Sequence, residues 1–163
     1  TAVLDISALE PQIAPPGGIH KSVDIGDAAG QRIDHAFIGA CGSGMYEDFV
    51  IAANVLRGRQ LAPGVRMFIA PGSEQSTKRL LADGLMQLFM EAGVIPLPAG
   101  CGPCNDAVVG PLSSGEVSIS TATNNNHGRF GAKDLGVVDQ RVVEVEADRP
   151  HLRLTDFISL MFT

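Results

Sequence analysis

Three cysteines are the residues of this chain whose type and spacing are best suited to chemistry. Cys41 stands alone, Cys101 and Cys104 form the tetrapeptide Cys-Gly-Pro-Cys, and the 163 residues contain no other cysteine. A closed zinc site and a closed iron–sulfur cube each need four protein ligands, so three thiolates leave one coordination position open. Small molecules bind at such open positions. We therefore expect the three sulfurs to converge and the chemistry to take place beside them.

The surroundings of the cysteines favour metal binding over two other interpretations. Glycines follow Cys41 and flank Cys101, which lets the backbone approach a bulky group closely. A redox pair at Cys101 and Cys104 is one alternative, but it leaves Cys41 without a role. The other alternative is that Cys41 is a small buried apolar residue at the end of a strand.

The elements that position these residues alternate between strands and helices. Cys41 is expected in the turn between a buried strand and a helix, where the helix dipole favours a thiolate. Ser73 is expected to cap a second helix, which Gly84 interrupts. This pattern predicts an α/β fold, a three-layer doubly wound domain with a mostly parallel sheet and helices on both faces. The predicted strands cover 33–40, 65–70, 94–97 and 117–121, and the predicted helices cover 46–56 and 73–92.

Length and composition predict one domain over residues 1–163 and exclude some partners. Residues 1–30 are expected to form an extended arm with loops, and 132–163 a tail with an apolar end. The net charge of −6 argues against nucleic acid, which requires a basic surface. No apolar run is long enough to span a membrane, and no signal peptide is evident. An odd number of cysteines suits a reducing compartment, so a cytoplasmic location is expected.

Several short motifs, in order, resemble the aconitase and isopropylmalate isomerase family of iron–sulfur hydro-lyases. The resemblance covers residues 36–131, about two-thirds of the chain, and a segment at 9–12 also looks similar. The motifs that carry it are Phe-Ile-Gly-Ala-Cys at 37–41, Tyr-Glu-Asp at 46–48, Leu-Arg-Gly-Arg at 56–59, Pro-Gly-Ser-Glu-Gln at 71–75, Cys-Gly-Pro-Cys at 101–104 and Gly-Arg at 128–129.

The resemblance implies a cofactor, a reaction and partners. It implies that Cys41, Cys101 and Cys104 hold a 4Fe-4S cluster whose fourth iron has no protein ligand. That iron would bind the hydroxyl and carboxylate of a small hydroxy-carboxylic acid and remove water as a Lewis acid. Members of the family also have further large-subunit domains and a swivelling domain or small subunit, which supplies the catalytic base. This chain is therefore expected to be inactive without such companions.

The chain departs from the family pattern at the residues expected to bind substrate. Where the family has Cys-Thr-Asn, this chain has Cys41-Gly-Ser43, and Ser43 is a candidate donor to cluster sulfur or substrate. Arg129 matches one arginine of the family's substrate loop, but the other arginine is replaced by Asn124. Asparagine lacks the charge with which arginine clamps a carboxylate, so a smaller or less anionic substrate is expected. The tail 132–163 does not continue the family pattern.

A second hypothesis assigns no catalysis to the chain. In that case it is an iron–sulfur or zinc module with a regulatory or iron-sensing role. The change at Asn124 favours this alternative, whereas Arg129 and the complete set of cysteines favour the hydro-lyase. His127, which lies in the same loop as Arg129, is expected to be a solvated loop residue.

Overall fold

The computed structural model describes residues 12–15, 22–28, 32–105, 109–110, 112–122, 130–131 and 142–144. Within these ranges there are seven strands and three α-helices. The strands are β1 (Gln12–Ile13), β2 (Val23–Asp24), β3 (His35–Gly39), β4 (Arg66–Ala70), β5 (Ile95–Pro96), β6 (Ser118–Ser120) and β7 (Val142–Glu144). The helices are α1 (Tyr46–Leu56), α2 (Glu74–Ala82) and α3 (Leu85–Glu91). None of the described helices is long and apolar enough to cross a membrane.

The main sheet is parallel and has the strand order β5-β4-β3-β6-β7. From β3 the chain moves outward through β4 to β5, and it then returns to place β6 on the other side of β3. The predicted α/β fold with a parallel sheet is confirmed. Strands β1 and β2 form a separate antiparallel pair within the region predicted to be an arm, and Ile13 of β1 packs into the domain core.

Strand β3 is buried along its whole length because the sheet is covered on both faces. Its residues alternate between two cores, as the period of two along a strand requires. Ala36 and Ile38 face the larger core, which includes buried residues of all three α-helices. Phe37 faces a smaller core, which also contains Phe68 and Cys104.

The two outer layers of the fold differ in kind. All three α-helices cover the first face of the sheet, and the rings of Phe49 in α1 and Phe89 in α3 meet edge to face there. On the second face, the described residues form loops and one 3-10 turn, Gly102–Cys104. Helices were predicted on both faces, but among the described residues the second face carries only this 3-10 turn and no α-helix.

Local signals explain where the helices begin and break. Ser73 caps α2 as predicted, since its hydroxyl accepts a hydrogen bond from the Ser76 amide. Gly84 has a positive φ of 70° and separates α2 from α3, where the sequence predicted a break. The start of α1 is capped by Asp48, whose carboxylate accepts a hydrogen bond from the Met45 amide. The effect is to fix the loop between β3 and α1, which contains Cys41.

Candidate functional site

Cys41 lies at the topological switch point of the sheet. From β3 the chain continues to β4 on one side, and from β6 it continues to β7 on the other side. The carboxyl ends of β3 and β6 are neighbours. The two ends are joined by hydrogen bonds from the Gly39 amide to Thr121 Oγ1 and from the Thr121 amide to the Phe37 carbonyl. Open α/β sheets bind ligands in the crevice at such a point. Cys41 is exposed and lies two residues beyond β3, at the carboxyl end of the strand beside this point.

The backbone just before Cys41 is strained. Ala40 has a φ of +82° and is the one non-glycine residue with positive φ in the described ranges. Its side chain is also buried, with 2% of its surface exposed. This conformation costs about 1 kcal/mol or more for a residue with a Cβ, and such strain is concentrated at functional sites. The strained bend turns the chain sharply out of β3 at the cysteine.

The loop that contains Cys41 packs backbone to backbone against the loop that follows β4. The Gly72 amide donates a hydrogen bond of 2.8 Å to the Gly44 carbonyl. A Cβ on Gly44 would lie 2.6 Å from the Ala40 carbonyl oxygen and 2.6 Å from the Gly72 nitrogen. A Cβ on Gly72 would lie 3.3 Å from the Cys41 carbonyl oxygen. Glycine is therefore required at residue 44, whereas a side chain at residue 72 would force its backbone neighbours apart by only a few tenths of an ångström.

The segment with the other two cysteines is attached to the same loop. The Gly100 amide donates a 2.9 Å hydrogen bond to the Pro71 carbonyl, directly beside Gly72. A Cβ on Gly102 would lie 3.1 Å from both the Phe37 ring and the Ala70 side chain, so this turn sits on the ends of β3 and β4. Both cysteine-bearing segments thus contact Pro71–Gly72 at the carboxyl edge of the sheet.

The three cysteines differ in exposure and none is in a disulfide. Cys41 and Cys101 are exposed, whereas Cys104 is buried in the smaller core. The Cys104 amide donates to the Cys101 carbonyl at 3.1 Å, which closes the 3-10 turn between them. Cys101 and Cys104 are not joined by a disulfide, which is also the reduced form of a redox pair, so the redox alternative stays untested.

The thiols are not arranged around a single ion. No group of three or more His, Cys, Asp or Glu side chains in the described ranges is placed to hold one metal ion. A zinc site requires all of its sulfur ligands within about 2.3 Å of one point. In an iron–sulfur cube each cysteine binds a different iron at a separate corner, so the sulfurs stand further apart. The structure brings the cysteine segments together without gathering the sulfurs at one point, and cluster ligation stays a prediction.

Ser43 is the predicted substrate-side residue on which the structure is most informative. Only 4% of its surface is exposed, and its amide donates a 3.3 Å hydrogen bond to the Ala40 carbonyl. Its hydroxyl group has no hydrogen-bond partner among the residues described. A buried hydroxyl without a partner costs about 1–3 kcal/mol. Ser43 thus has an unused donor two residues from Cys41.

The other predicted substrate residues, Asn124 and Arg129, lie outside the described residues, as does His127. The two ends of their segment are described. Ala122 follows β6 at the switch point, and Phe130 is fully buried with its ring 6.1 Å from that of Phe37. Ala122 and Phe130, the described residues on either side of this segment, thus pack on the same face of the sheet as Cys104.

His35 is a notable buried residue for which the sequence predicted no role. It is completely buried at the start of β3, and burial together with the charge of Arg66 lowers its pKa to about 4. The sequence could have indicated its burial, because His35 lies two residues before Phe37 on the same strand and therefore faces the same, smaller core. A histidine at that position needs buried hydrogen-bond partners.

Comparisons with a protein-family model and with individual proteins give matches over most of the chain. Residues 18–138 match the family model described as "Aconitase family (aconitate hydratase)". The chain is 40% identical over 131 residues to 3-isopropylmalate dehydratase large subunit 1 of Archaeoglobus fulgidus, covering 80% of this chain and 31% of that protein. It is 40% identical over 134 residues to the homoaconitase large subunit of Thermus thermophilus, covering 82% of this chain and 32% of that protein.

A further relative is the probable methanogen homoaconitase large subunit of Methanothermobacter thermautotrophicus. It is 42% identical over 127 residues, which are 78% of this chain and 30% of that protein. The chain thus spans about a third of the length of the curated relatives it matches. Since the family model covers most of the chain, from the segment before β2 to beyond the glycine–arginine motif, the chain belongs to the aconitase family.

Proposed function

We propose that this chain is the cluster-bearing part of a hydro-lyase that dehydrates and rehydrates a small hydroxy-carboxylic acid. The observation that carries the proposal is the position of the cysteines. Cys41 lies at the switch point of a parallel sheet, and the segment with Cys101 and Cys104 contacts the same Pro71–Gly72 backbone. The segments that carry the three cysteines are thus adjacent to the position at which open parallel sheets bind ligands.

The donor set fits a 4Fe-4S cluster with one open iron. Cys41, Cys101 and Cys104 would hold it, and the absence of a side chain at Gly44 lets the Cys41 loop pack directly against Gly72. The iron without a protein ligand supplies Lewis-acid chemistry toward a hydroxyl and a carboxylate. Cys104 is buried and Cys41 and Cys101 are exposed, so a substrate would approach from the side of Cys41 and Cys101.

The chain's own residues would position the substrate and cluster. Ser43 has a buried hydroxyl with no partner among the described residues, and we assign it as a donor to cluster sulfur or to the substrate. Arg129 would pair with a substrate carboxylate, and Asn124 would contact the substrate without contributing charge. With one arginine rather than two, we expect a substrate that carries less negative charge than a tricarboxylate.

Further protein is needed to complete the site. The relatives are named large subunits, and the chain spans about a third of their length. We propose that the remaining large-subunit domains and a small subunit or swivelling domain cover the exposed side of the cysteines and provide the catalytic base.

A second candidate function is a non-catalytic iron–sulfur module for regulation or iron sensing. The replacement of a family arginine by Asn124 favours it, because a sensor needs the cluster but not a carboxylate clamp. Zinc is the less favoured metal for such a module, since the described ligands do not surround one point.

Turnover of hydroxyacids distinguishes the two functions. The full-length protein is reconstituted anaerobically with iron and sulfide, with and without its co-expressed neighbours, and presented with 2- and 3-hydroxyacids. We expect turnover only with the companions present, and its loss in Cys41→Ser, with Ser113→Ala, an exposed residue outside the site, as a control. A cluster that forms fully but supports no turnover with any hydroxyacid would favour the sensor.

A further inference from the structure

His35 stands at a junction of four segments on the second face of the sheet. Its Nδ1 lies 2.8 Å from Ser118 Oγ, in the register-paired residue of β6. Its Nε2 lies 3.1 Å from the Gly110 carbonyl oxygen, six residues after Cys104. Its ring centroid lies 5.3 Å from that of Phe68 in β4 and 6.1 Å from that of Phe130.

The partners of His35 determine its tautomer. A carbonyl oxygen only accepts hydrogen bonds, so the contact with Gly110 requires a proton on Nε2. In the neutral imidazole Nδ1 is then an acceptor, and the Ser118 hydroxyl donates to it. Both ring nitrogens and the Ser118 hydroxyl are satisfied in this arrangement, which suits a completely buried group.

The contacts of His35 extend to the segment that contains the substrate loop. The Leu112 amide, two residues from Gly110, donates a 2.8 Å hydrogen bond to the Phe130 carbonyl. Leu112 also forms a parallel bridge with Gly131. The segment after Cys104 is thus attached to the residues that directly follow Arg129, and His35 contacts both segments from β3.

We infer that His35, as the neutral Nε2–H tautomer, is a positioning residue that holds the segments after Cys104 and Arg129 against the sheet. It acts on the site through Gly110 and Phe130, and among the described residues it forms no hydrogen bond with the cysteines. Its effect on the site rests on the proposed function, because only there do Cys104 and Arg129 act together. The attachment itself is a property of the fold and is measured without any cluster.

Charged groups near His35 define how it responds to pH. Among the described residues these are Arg66 at the start of β4 and Glu116 before β6, which form an ion pair at 2.5 Å. Arg66 and burial disfavour the imidazolium, whereas the Gly110 carbonyl and Glu116 favour it. Since the first two dominate, His35 stays neutral at pH 7 and is protonated only near pH 4.

Hydrogen exchange of the full-length protein, in its assembly, tests the inference. The Leu112 amide reports on the attachment, and the Leu61 amide, which donates to the Ala92 carbonyl on the other side of the sheet, is the internal control. His35→Leu removes the donor to Gly110, and we expect roughly tenfold faster exchange at Leu112 with Leu61 unchanged. His35→Gln keeps an N–H donor of similar reach and should restore the protection of Leu112.

The pH dependence of the same two amides separates positioning from simple packing. The imidazolium keeps its Nε2 donor to Gly110, so acidification acts through the cost of the buried charge, which opening of the attachment to water relieves. On acidification toward pH 4, the protection of Leu112 relative to Leu61 should therefore fall in the natural protein and stay constant in His35→Gln. Equal losses at Leu112 and Leu61 in His35→Leu, or no rescue by glutamine, would overturn the inference.

The catalytic consequence is measured separately in the loaded enzyme. There His35→Leu should raise KM for the hydroxyacid, while the iron content stays close to that of the natural protein. If exchange changes as expected while no hydroxyacid is turned over, the inference holds and the proposed function fails.

Discussion

Gly44→Ala tests the contact between the two loops on which the candidate site depends. The added Cβ would lie 2.6 Å from the Ala40 carbonyl oxygen and from the Gly72 nitrogen, and 2.8 Å from the Ala70 carbonyl oxygen. These distances are up to about 0.8 Å short of the 3.4 Å at which ordinary contact begins. All three atoms belong to the backbone, so no flexible side chain can move aside.

The magnitude follows from these contacts. Overpacking a tight site costs about 1–3 kcal/mol. The cost here should be at the upper end of that range, because the atoms around the added Cβ are backbone atoms that cannot rotate away. The hydrogen bond from the Gly72 amide to the Gly44 carbonyl is also displaced, which costs about 1 kcal/mol. We therefore expect Gly44→Ala to lower the free energy of unfolding by about 3–4 kcal/mol.

Gly26→Ala is the matched control, because a Cβ there has nothing within 4 Å and the residue has no positive φ. Urea denaturation of both variants gives the stabilities, and iron content after anaerobic reconstitution gives cluster retention. We expect the control to lie within about 0.5 kcal/mol of the natural protein. Equal stability and equal iron content in the two variants would refute the close approach of the Cys41 loop to Gly72.

Three further substitutions or conditions give distinct expectations. Ser43→Ala should raise the free energy of unfolding of the cluster-free protein by up to about 1–3 kcal/mol, because it removes a buried hydroxyl without a partner among the described residues, while lowering turnover. Ser120→Ala, whose hydroxyl accepts from a backbone amide at 2.9 Å, should instead lower stability by about 1 kcal/mol and spare turnover at constant cluster content. The reverse pattern would contradict the role of Ser43. The pKa of His35 is about 4 in the folded protein and 6.5 in the unfolded chain, so the unfolded state binds the proton first as the pH falls. The contribution of His35 to the free energy of unfolding should therefore be complete above pH 6.5 and fall by up to about 3 kcal/mol between pH 6.5 and 4. Urea titrations at several pH values should show this loss in the natural protein and not in His35→Gln. Arg129→Ala should weaken transition-state stabilisation in the assembled enzyme, calculated from the ratio of kcat/KM values, by about 2–4 kcal/mol without loss of iron. Unaltered kinetics would show that Arg129 has no role in substrate binding.

Local patterns were sufficient to predict the elements that position the cysteines. Helix α1 has the predicted bounds, and β3 and β4 lie inside the predicted strands. These signals are local: apolar runs, the Ser73 cap and the glycine at residue 84. The position of Cys41 after a strand and before a helix followed directly from them.

Features that depend on distant residues were not predictable in the same way. The strand order places Cys41 at a switch point, and it is set by where the chain returns after β5, which no local pattern encodes. The burial of His35 depends on Ser118 and Gly110, more than seventy residues away. The strain at Ala40 arises because β3 must end against the loop after β4, and alanine gives no sign of it in the sequence.

The central claim is that Cys41, Cys101 and Cys104 hold a 4Fe-4S cluster with one open iron. Mössbauer spectroscopy of the full-length protein, reconstituted anaerobically with ⁵⁷Fe, tests it most directly. We expect one iron in four to change its isomer shift and quadrupole splitting when the hydroxyacid is added, and each of the three Cys→Ser variants to lose the cluster signal. The account would be contradicted if no iron changed its isomer shift or quadrupole splitting when the hydroxyacid is added. It would also be contradicted if the cluster persisted when the three cysteines are replaced.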